Sequence, residues 1–117
     1  MSDLNILHNP RCSKSRQTLQ LLNDKGFEPH IIEYLKTPIS ADELAQIISQ
    51  LGFSSARQLM RKGEDTYKSL NLADATLSEA YLIEAMVNNP KLIERPIVRC
   101  KGKAAIGRPP ESVLDIL

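Results

Sequence analysis

The stretch from Leu4 to Leu35 holds two apolar segments of β character, "LNILH" and "HIIEYL", on either side of a helix-patterned run. A strand, a helix and a strand within about thirty residues form a βαβ unit, whose crossover leaves the two strands parallel. Asn9-Pro10 ends the first strand. The helix is predicted over Ser13 to Lys25, with Leu19 and Leu22 at helical spacing. It stops at Gly26, a residue type suited to the left-handed position after a helix. The second strand is expected over His30 to Leu35.

Beyond this unit the pattern turns helical. "SADELAQIISQLG" opens with Ser40 and Glu43 in a capping-box arrangement and sets Leu44, Ile47, Ile48 and Leu51 on one stripe. "SSARQLMRKG" predicts a shorter helix ending near Gly63, and "EDTYKSLN" another turn or two. "SEAYLIEAMVNNP" predicts a helix that starts at Ser78, carries Leu82, Ile83 and Met86, and is broken by Pro90. The last third returns to strands: "RPIVRC", the tight turn "KGK", then "AAI". Pro110 is placed as the first residue of a final helix, "PESVLDIL".

A βαβ half, a helical middle and a ββα half, with a cysteine at the entrance of the first helix, is the organisation of a thioredoxin-like domain. The expectation is therefore an α/β fold with a mixed four-stranded sheet, a helical insertion over about residues 40–90, and one domain spanning 1–117. In that architecture a cis-proline opens the third strand and faces the cysteine. Arg95-Pro96 stands at that place.

Composition narrows the class of function. With 117 residues, 42% of them apolar, the chain is long enough for a core without disulfides or metals. A formal net charge of +1 argues against a dedicated nucleic-acid or membrane-surface binder. There is no signal-peptide pattern at the start and no apolar run of the ~18 residues that a membrane helix needs. A cytoplasmic monomer is expected. Cys12 and Cys100 form neither a CxxC pair nor a metal-ligand cluster, and His8 and His30 are too scattered to complete a zinc site. In a reducing cytosol both thiols are expected to be free.

The chemistry concentrates in "HNPRCSKSR". A helix N-terminus presents unpaired N–H groups and the positive end of the macrodipole, which stabilise a thiolate and bind oxyanions. Arg11, Lys14 and Arg16 add positive charge where a purely structural helix would favour acids. That local conflict points to an anion as the missing partner. A cysteine phosphatase loop needs its arginine further on than Ser13-Lys14-Ser15-Arg16 allows. A dithiol oxidoreductase needs a second cysteine at position 15, where Ser15 stands. A catalytic Cys12 would thus need its product resolved by the thiol of another molecule. Cys100 lies about four residues beyond Pro96, roughly 13 Å along a strand. A disulfide tolerates only about 7 Å between Cα atoms, so Cys100 reads as a structural thiol.

Among the other cations, Arg95 in "ERPIV" and Arg108 in "GRPPE" each abut a proline that directs a loop toward the first helix. Guanidinium forks suit tetrahedral oxyanions, and such arginines around a thiolate would bind the anion and hold charge in the transition state. Arg61 in "QLMRKGE" is a third candidate. Arg57 and Arg99 are assigned to the surface. His8, at the strand end, is given a supporting role beside the cysteine loop, and His30 a structural one.

"HNPRCSKSR", "ERPIV" and "GRPPE", in this order and joined by a helical middle, resemble the glutaredoxin-dependent arsenate reductase family over Leu4 to Leu117. The resemblance is to its shorter members, since the sequence ends at "VLDIL". It implies attack of Cys12 on arsenate, with Arg61, Arg95 and Arg108 binding the oxyanion and His8 standing before the loop. Arg61 owes its place mainly to this resemblance. It also implies glutathione as co-substrate, glutaredoxin as reducing partner, and no bound cofactor or metal. Two other functions fit the residues: glutathione-dependent thiol oxidoreduction of another substrate, and a thioredoxin-fold regulatory binding protein.

Overall fold

The computed structural model describes residues 4–117, which divide into two compact units, 4–37 with Arg95–Leu117, and Pro38–Glu94. The first unit holds the sheet. Strand β1 (Leu4–Leu7) leads into helix α1 (Ser13–Asp24), and β2 (His30–Ile32) returns parallel to β1. Strands β3 (Ile97–Cys100) and β4 (Lys103–Ile106) form an antiparallel hairpin, and β3 pairs antiparallel with β1. The order β2-β1-β3-β4 makes the mixed four-stranded sheet expected of a thioredoxin-like α/β fold. Leu7 pairs with Ile97 at one end of β1 and Leu4 with Cys100 at the other.

Burial explains these elements. Ile6, Leu22, Val98 and Val113 are fully buried and, with Leu4 and Cys100, form one core against which Leu19 and Ile116 pack. Thus α1 and the C-terminal segment lie on the sheet through apolar side chains, those of α1 being the Leu19 and Leu22 that helical spacing indicates. Gly26 takes φ +87° after α1, and its N–H bonds the Asn23 carbonyl. The second strand is shorter than expected. His30 and Ile31 are exposed, and Lys36 and Thr37 both donate to the Glu33 carbonyl, so the backbone turns before Leu35. The final helix begins at Pro110 as expected but is of the 3₁₀ type, Pro110–Ile116.

The second unit contains α2 (Ala41–Gln50), α3 (Asp65–Ser69) and α4 (Glu79–Asn88). Ser40 accepts from the Glu43 N–H and Ser78 from the Tyr81 N–H, the N-caps that the sequence placed at these residues. Leu44, Ile47, Leu59, Leu72, Leu82, Met86 and Leu92 are fully buried. The helix expected over "SSARQLMRKG" is only a 3₁₀ turn, Ala56–Leu59. Met60 then takes extended backbone and bridges Ile93, which ends the turn well before Gly63. Glu79 ties this turn to α4 by accepting from the Ala56 N–H and the Ser55 hydroxyl, and these bonds hold its carboxyl below the usual range.

Arg57 is not the surface charge that the sequence suggested. It is half-buried, and its guanidinium donates to the carbonyls of Leu72 and Asp74, pinning the segment after α3. Arg99, on β3, is also half-buried. Arg57→Met should leave two carbonyls without a charged donor. A hydrogen bond to a charged group contributes about 1.5–3 kcal/mol, so Tm should fall by several degrees in a thermal melt. An unchanged Tm would show that water replaces the pin at no cost. No helix among the described residues is long and apolar enough to cross a membrane.

Candidate active site

The site is built on the loop between β1 and α1. The His8 N–H donates to Ile32 O at 2.8 Å, carrying the pairing of β1 with β2 one residue further. Asn9 then organises the turn. Its carbonyl accepts from the Cys12 N–H at 3.0 Å and its side-chain Oδ1 from the Arg11 N–H at 3.0 Å. Its own N–H donates to Ser15 Oγ at 3.0 Å. Arg16 reaches back along α1 and donates from Nη1 to Pro10 O at 2.9 Å. The loop is thereby tied to the first turn of its own helix.

Cys12 occupies the N-cap of α1, with φ −94° and ψ 124°. Its side chain makes no capping hydrogen bond, and the first helical turn carries no acidic residue. The sulfur therefore lies at the positive end of α1 with its own reactivity unspent on the helix. It is 8% exposed. Arg108 approaches it from the other half of the unit, with Nη2 at 3.7 Å from Sγ. That guanidinium is aimed by its Nε, which donates to Arg95 O at 2.8 Å.

The loop after β4 is held in turn by Pro96. The Gly107 N–H donates to Pro96 O at 2.9 Å, and the Arg108 N–H to Ile106 O at 2.9 Å. Arg95-Pro96 is cis, as the topology required, and Arg108-Pro109 is cis as well, which the sequence had not indicated. Both arginines that abut prolines thus enter one network with Cys12: Arg95 through its carbonyl, Arg108 through its side chain.

His8 and Ser15 form a buried pair, with His8 Nδ1 and Ser15 Oγ 2.6 Å apart. Burial pushes the His8 imidazolium pKa below its ordinary 6.5; Glu33 opposes the shift and Arg16 adds to it. The unfolded chain therefore binds more protons than the folded one just below pH 6.5, and folding stability falls as pH drops through that window. The slope due to His8 is at most about 1.4 kcal/mol per pH unit. Urea midpoints at pH 7.5 and 5.5 should therefore separate more in the wild type than in His8→Asn. Equal separations would remove His8 as the titrating group.

Arg61 belongs to the second unit. Its Nη1 pairs with Glu64 at 2.9 Å and its Nε with Glu94 at 3.6 Å. Cys100 is a free, buried thiol at the end of β3 that pairs with Leu4, the opposite end of β1 from the cysteine loop. It packs in the core, as a structural cysteine does. The sequence reading missed three contributors: Ser15, Thr18 and Gly107. Ser15 had been read only as an absent cysteine, although Ser15, Thr18 and Leu22 recur at helical spacing and are the buried face of α1. Thr18 Oγ1 donates to Lys14 O at 2.8 Å and reaches Gly107 O at 3.5 Å.

The ArsC family model matches residues 7–116, which include every residue of this site. The chain belongs to the ArsC family. It is 53% identical over 112 residues to the arsenate reductase of Haemophilus influenzae, covering 96% of this chain and 97% of that one. The uncharacterized protein YfgD of Escherichia coli K12 is 62% identical over 112 residues, 96% of this chain and 94% of that one. The solved structure of the arsenate reductase from Vibrio cholerae superimposes with a TM-score of 0.97 at 52% identity, covering 99% of this chain and 98% of the other. This ArsC-family chain is thus an enzyme of the arsenate reductase type with a thioredoxin-like α/β fold.

Proposed function

We propose that the protein reduces arsenate to arsenite, with Cys12 as the nucleophile and glutathione as co-substrate. The observation that carries this reading is the guanidinium of Arg108 set 3.7 Å from a sulfur at the positive end of α1. A tetrahedral oxyanion entering there meets a guanidinium fork beside the thiol it must react with. Arg108 and the helix end hold the anion, and the same charges offset the negative charge that gathers on the arsenate oxygens during attack. Arg95 aims Arg108 through its carbonyl and lies within the same network. Arg61 is included on the family resemblance, and in its own unit Glu64 and Glu94 hold its side chain. His8 supports the loop through Ser15.

In the overall reaction two thiols supply two electrons. Arsenate loses one oxygen as water and leaves as arsenite, while the two sulfurs end joined as a disulfide. Cys12 is one thiol in each cycle, and Ser15 stands where a second cysteine would serve as the other. The reading therefore assigns the second thiol to glutathione and the regeneration of Cys12 to glutaredoxin. The enzyme works as a cytoplasmic monomer without bound cofactor.

The test is NADPH oxidation in a mixture of the protein, glutathione, glutathione reductase and glutaredoxin. Turnover that requires both arsenate and the protein is the expected result. Turnover that proceeds equally without arsenate would overturn the substrate, and a cycle that runs without glutathione would overturn the co-substrate.

A further inference from the structure

Arg61 stands on a fixed piece of backbone. Its N–H donates to Leu92 O at 2.7 Å, and Leu59 O accepts from the Glu94 N–H at 2.9 Å, on either side of the Met60–Ile93 bridge. That short pairing sets Glu94 beside Arg61, with Glu94 Oε1 3.6 Å from Arg61 Nε. The turn that follows brings Glu64 to the same guanidinium. The Glu64 N–H donates to Arg61 O at 3.3 Å, and its Oε2 accepts from Arg61 Nη1 at 2.9 Å. Glu64 is the N-cap residue of α3, yet its side chain makes no cap bond there and is turned to Arg61 instead.

We propose that Glu64 is a built-in competitor for the oxyanion at Arg61, displaced when the anion binds, and that it determines how weakly unreactive oxyanions are held. The proposal rests on Arg61 being an oxyanion ligand, as read above, and adds what controls it.

A guanidinium offers an oxyanion two parallel N–H pairs, Nε with Nη2 and Nη1 with Nη2. Glu94 engages one member of the first pair and Glu64 one member of the second. Only Nη2 stands outside both ion pairs, so a bidentate grip on a tetrahedral anion requires a carboxylate to leave. The departure of Glu64 frees Nη1 and Nη2, the tip of the side chain, while Glu94 keeps Nε oriented from the paired backbone. It also removes an excess of carboxylate: two of them on one guanidinium repel an incoming anion, whereas one leaves a neutral pair. The exchange is easy, because the Glu64 side chain is 27% exposed and water can take up its carboxylate. The cost of displacement falls on every oxyanion alike. Arsenate offsets it by bonding to Cys12; phosphate, of the same shape and charge, forms no such bond and stays weakly held.

Inorganic phosphate is therefore the probe. Its protection of Cys12 against iodoacetamide, read by mass spectrometry of the Cys12 peptide, gives an affinity without turnover. Glu64→Gln should tighten phosphate about three- to fivefold, the change that loss of one exposed ion pair allows, and lower the KM for arsenate by a similar factor. A merely structural role would weaken both. Arg61→Ala should weaken phosphate and raise the KM for arsenate by about tenfold or more. Adding Glu64→Gln to Arg61→Ala should then leave both constants within about twofold of Arg61→Ala alone. Phosphate held no tighter by Glu64→Gln than by wild type, while Arg61→Ala weakens it, would overturn the competitor and leave Arg61 as an oxyanion ligand. Arg61→Ala without effect on either constant would overturn both. The same gain from Glu64→Gln with and without Arg61 would also overturn the proposal, since Glu64 would then act as a distant charge. Tighter phosphate in Glu64→Gln, lost with Arg61, in a protein that never turns over arsenate would support the competitor and overturn the substrate.

Discussion

Cys12→Ser should lower arsenate-dependent turnover at least about a thousandfold, to the background of the coupled assay. The thiolate, not the thiol, is the attacking species, and a serine hydroxyl carries almost no anion near neutral pH. The site holds no substitute. Ser15 Oγ is engaged by His8 and the Asn9 N–H, and Cys100 lies in the core at the far end of β1. The sulfur makes no cap bond in α1, so the substitution removes the sulfur and its contact with Arg108 and leaves the loop's backbone hydrogen bonds in place. Tm should accordingly change by no more than a few degrees, and Cys100→Ser should keep its activity within about twofold. A Cys12→Ser protein that retains a tenth of wild-type turnover would remove Cys12 as the nucleophile. Activity lost in Cys100→Ser with an unchanged Tm would move the second thiol inside the chain.

The order of elements was legible because each carries its own signal. Short apolar runs of β character marked β1 and β3, helical stripes marked α2 and α4, and Ser40, Ser78, Gly26 and Pro110 marked the ends. Where the reading failed, a non-local contact decided. "ARQLMRKG" has helical composition, yet Met60 is drawn into an extended bridge with Ile93, more than thirty residues away. "HIIEYL" has strand composition, yet only its first three residues find a partner in β1. Arg57 gives no local hint that Leu72 and Asp74 will turn their carbonyls toward it.

The site divides in the same way. Cys12 could be found because a cation-rich helix mouth is an electrostatic conflict visible within a few residues. Arg95 and Arg108 could be found because prolines fix the local direction of the chain. The Ser15–His8 pair could not, since its meaning depends on α1 folding back over the end of β1. Gly107 was hidden for a stronger reason: it looked like an ordinary break before a proline.

Gly107→Ala should therefore prove more damaging than its place in a loop suggests. A Cβ at this position would press into the Thr18 hydroxyl, come within 2.8 Å of Pro96 Cγ and meet Thr18 Cγ2 at 3.0 Å. Thr18 is fully buried and bonded to Lys14 O, and Pro96 is buried, so neither neighbour can swing away at little cost. Overpacking of this kind costs about 1–3 kcal/mol, and Tm should fall by about 5–10 °C. Arsenate turnover should fall as well, by tenfold or more. The residue that must move is the one that donates to Pro96 O and precedes Arg108, and small displacements of a positioning group are costly. Thr18→Ala removes two of the three clashes, so the double variant should be more stable than the sum of the single effects predicts by about 0.5–3 kcal/mol. Strict additivity would show that the clash with Pro96 alone sets the cost. A Gly107→Ala protein with wild-type Tm and turnover would show that the β4 loop does not need to lie so close to α1, and Arg108 would then owe its position to its bond with Arg95 O alone.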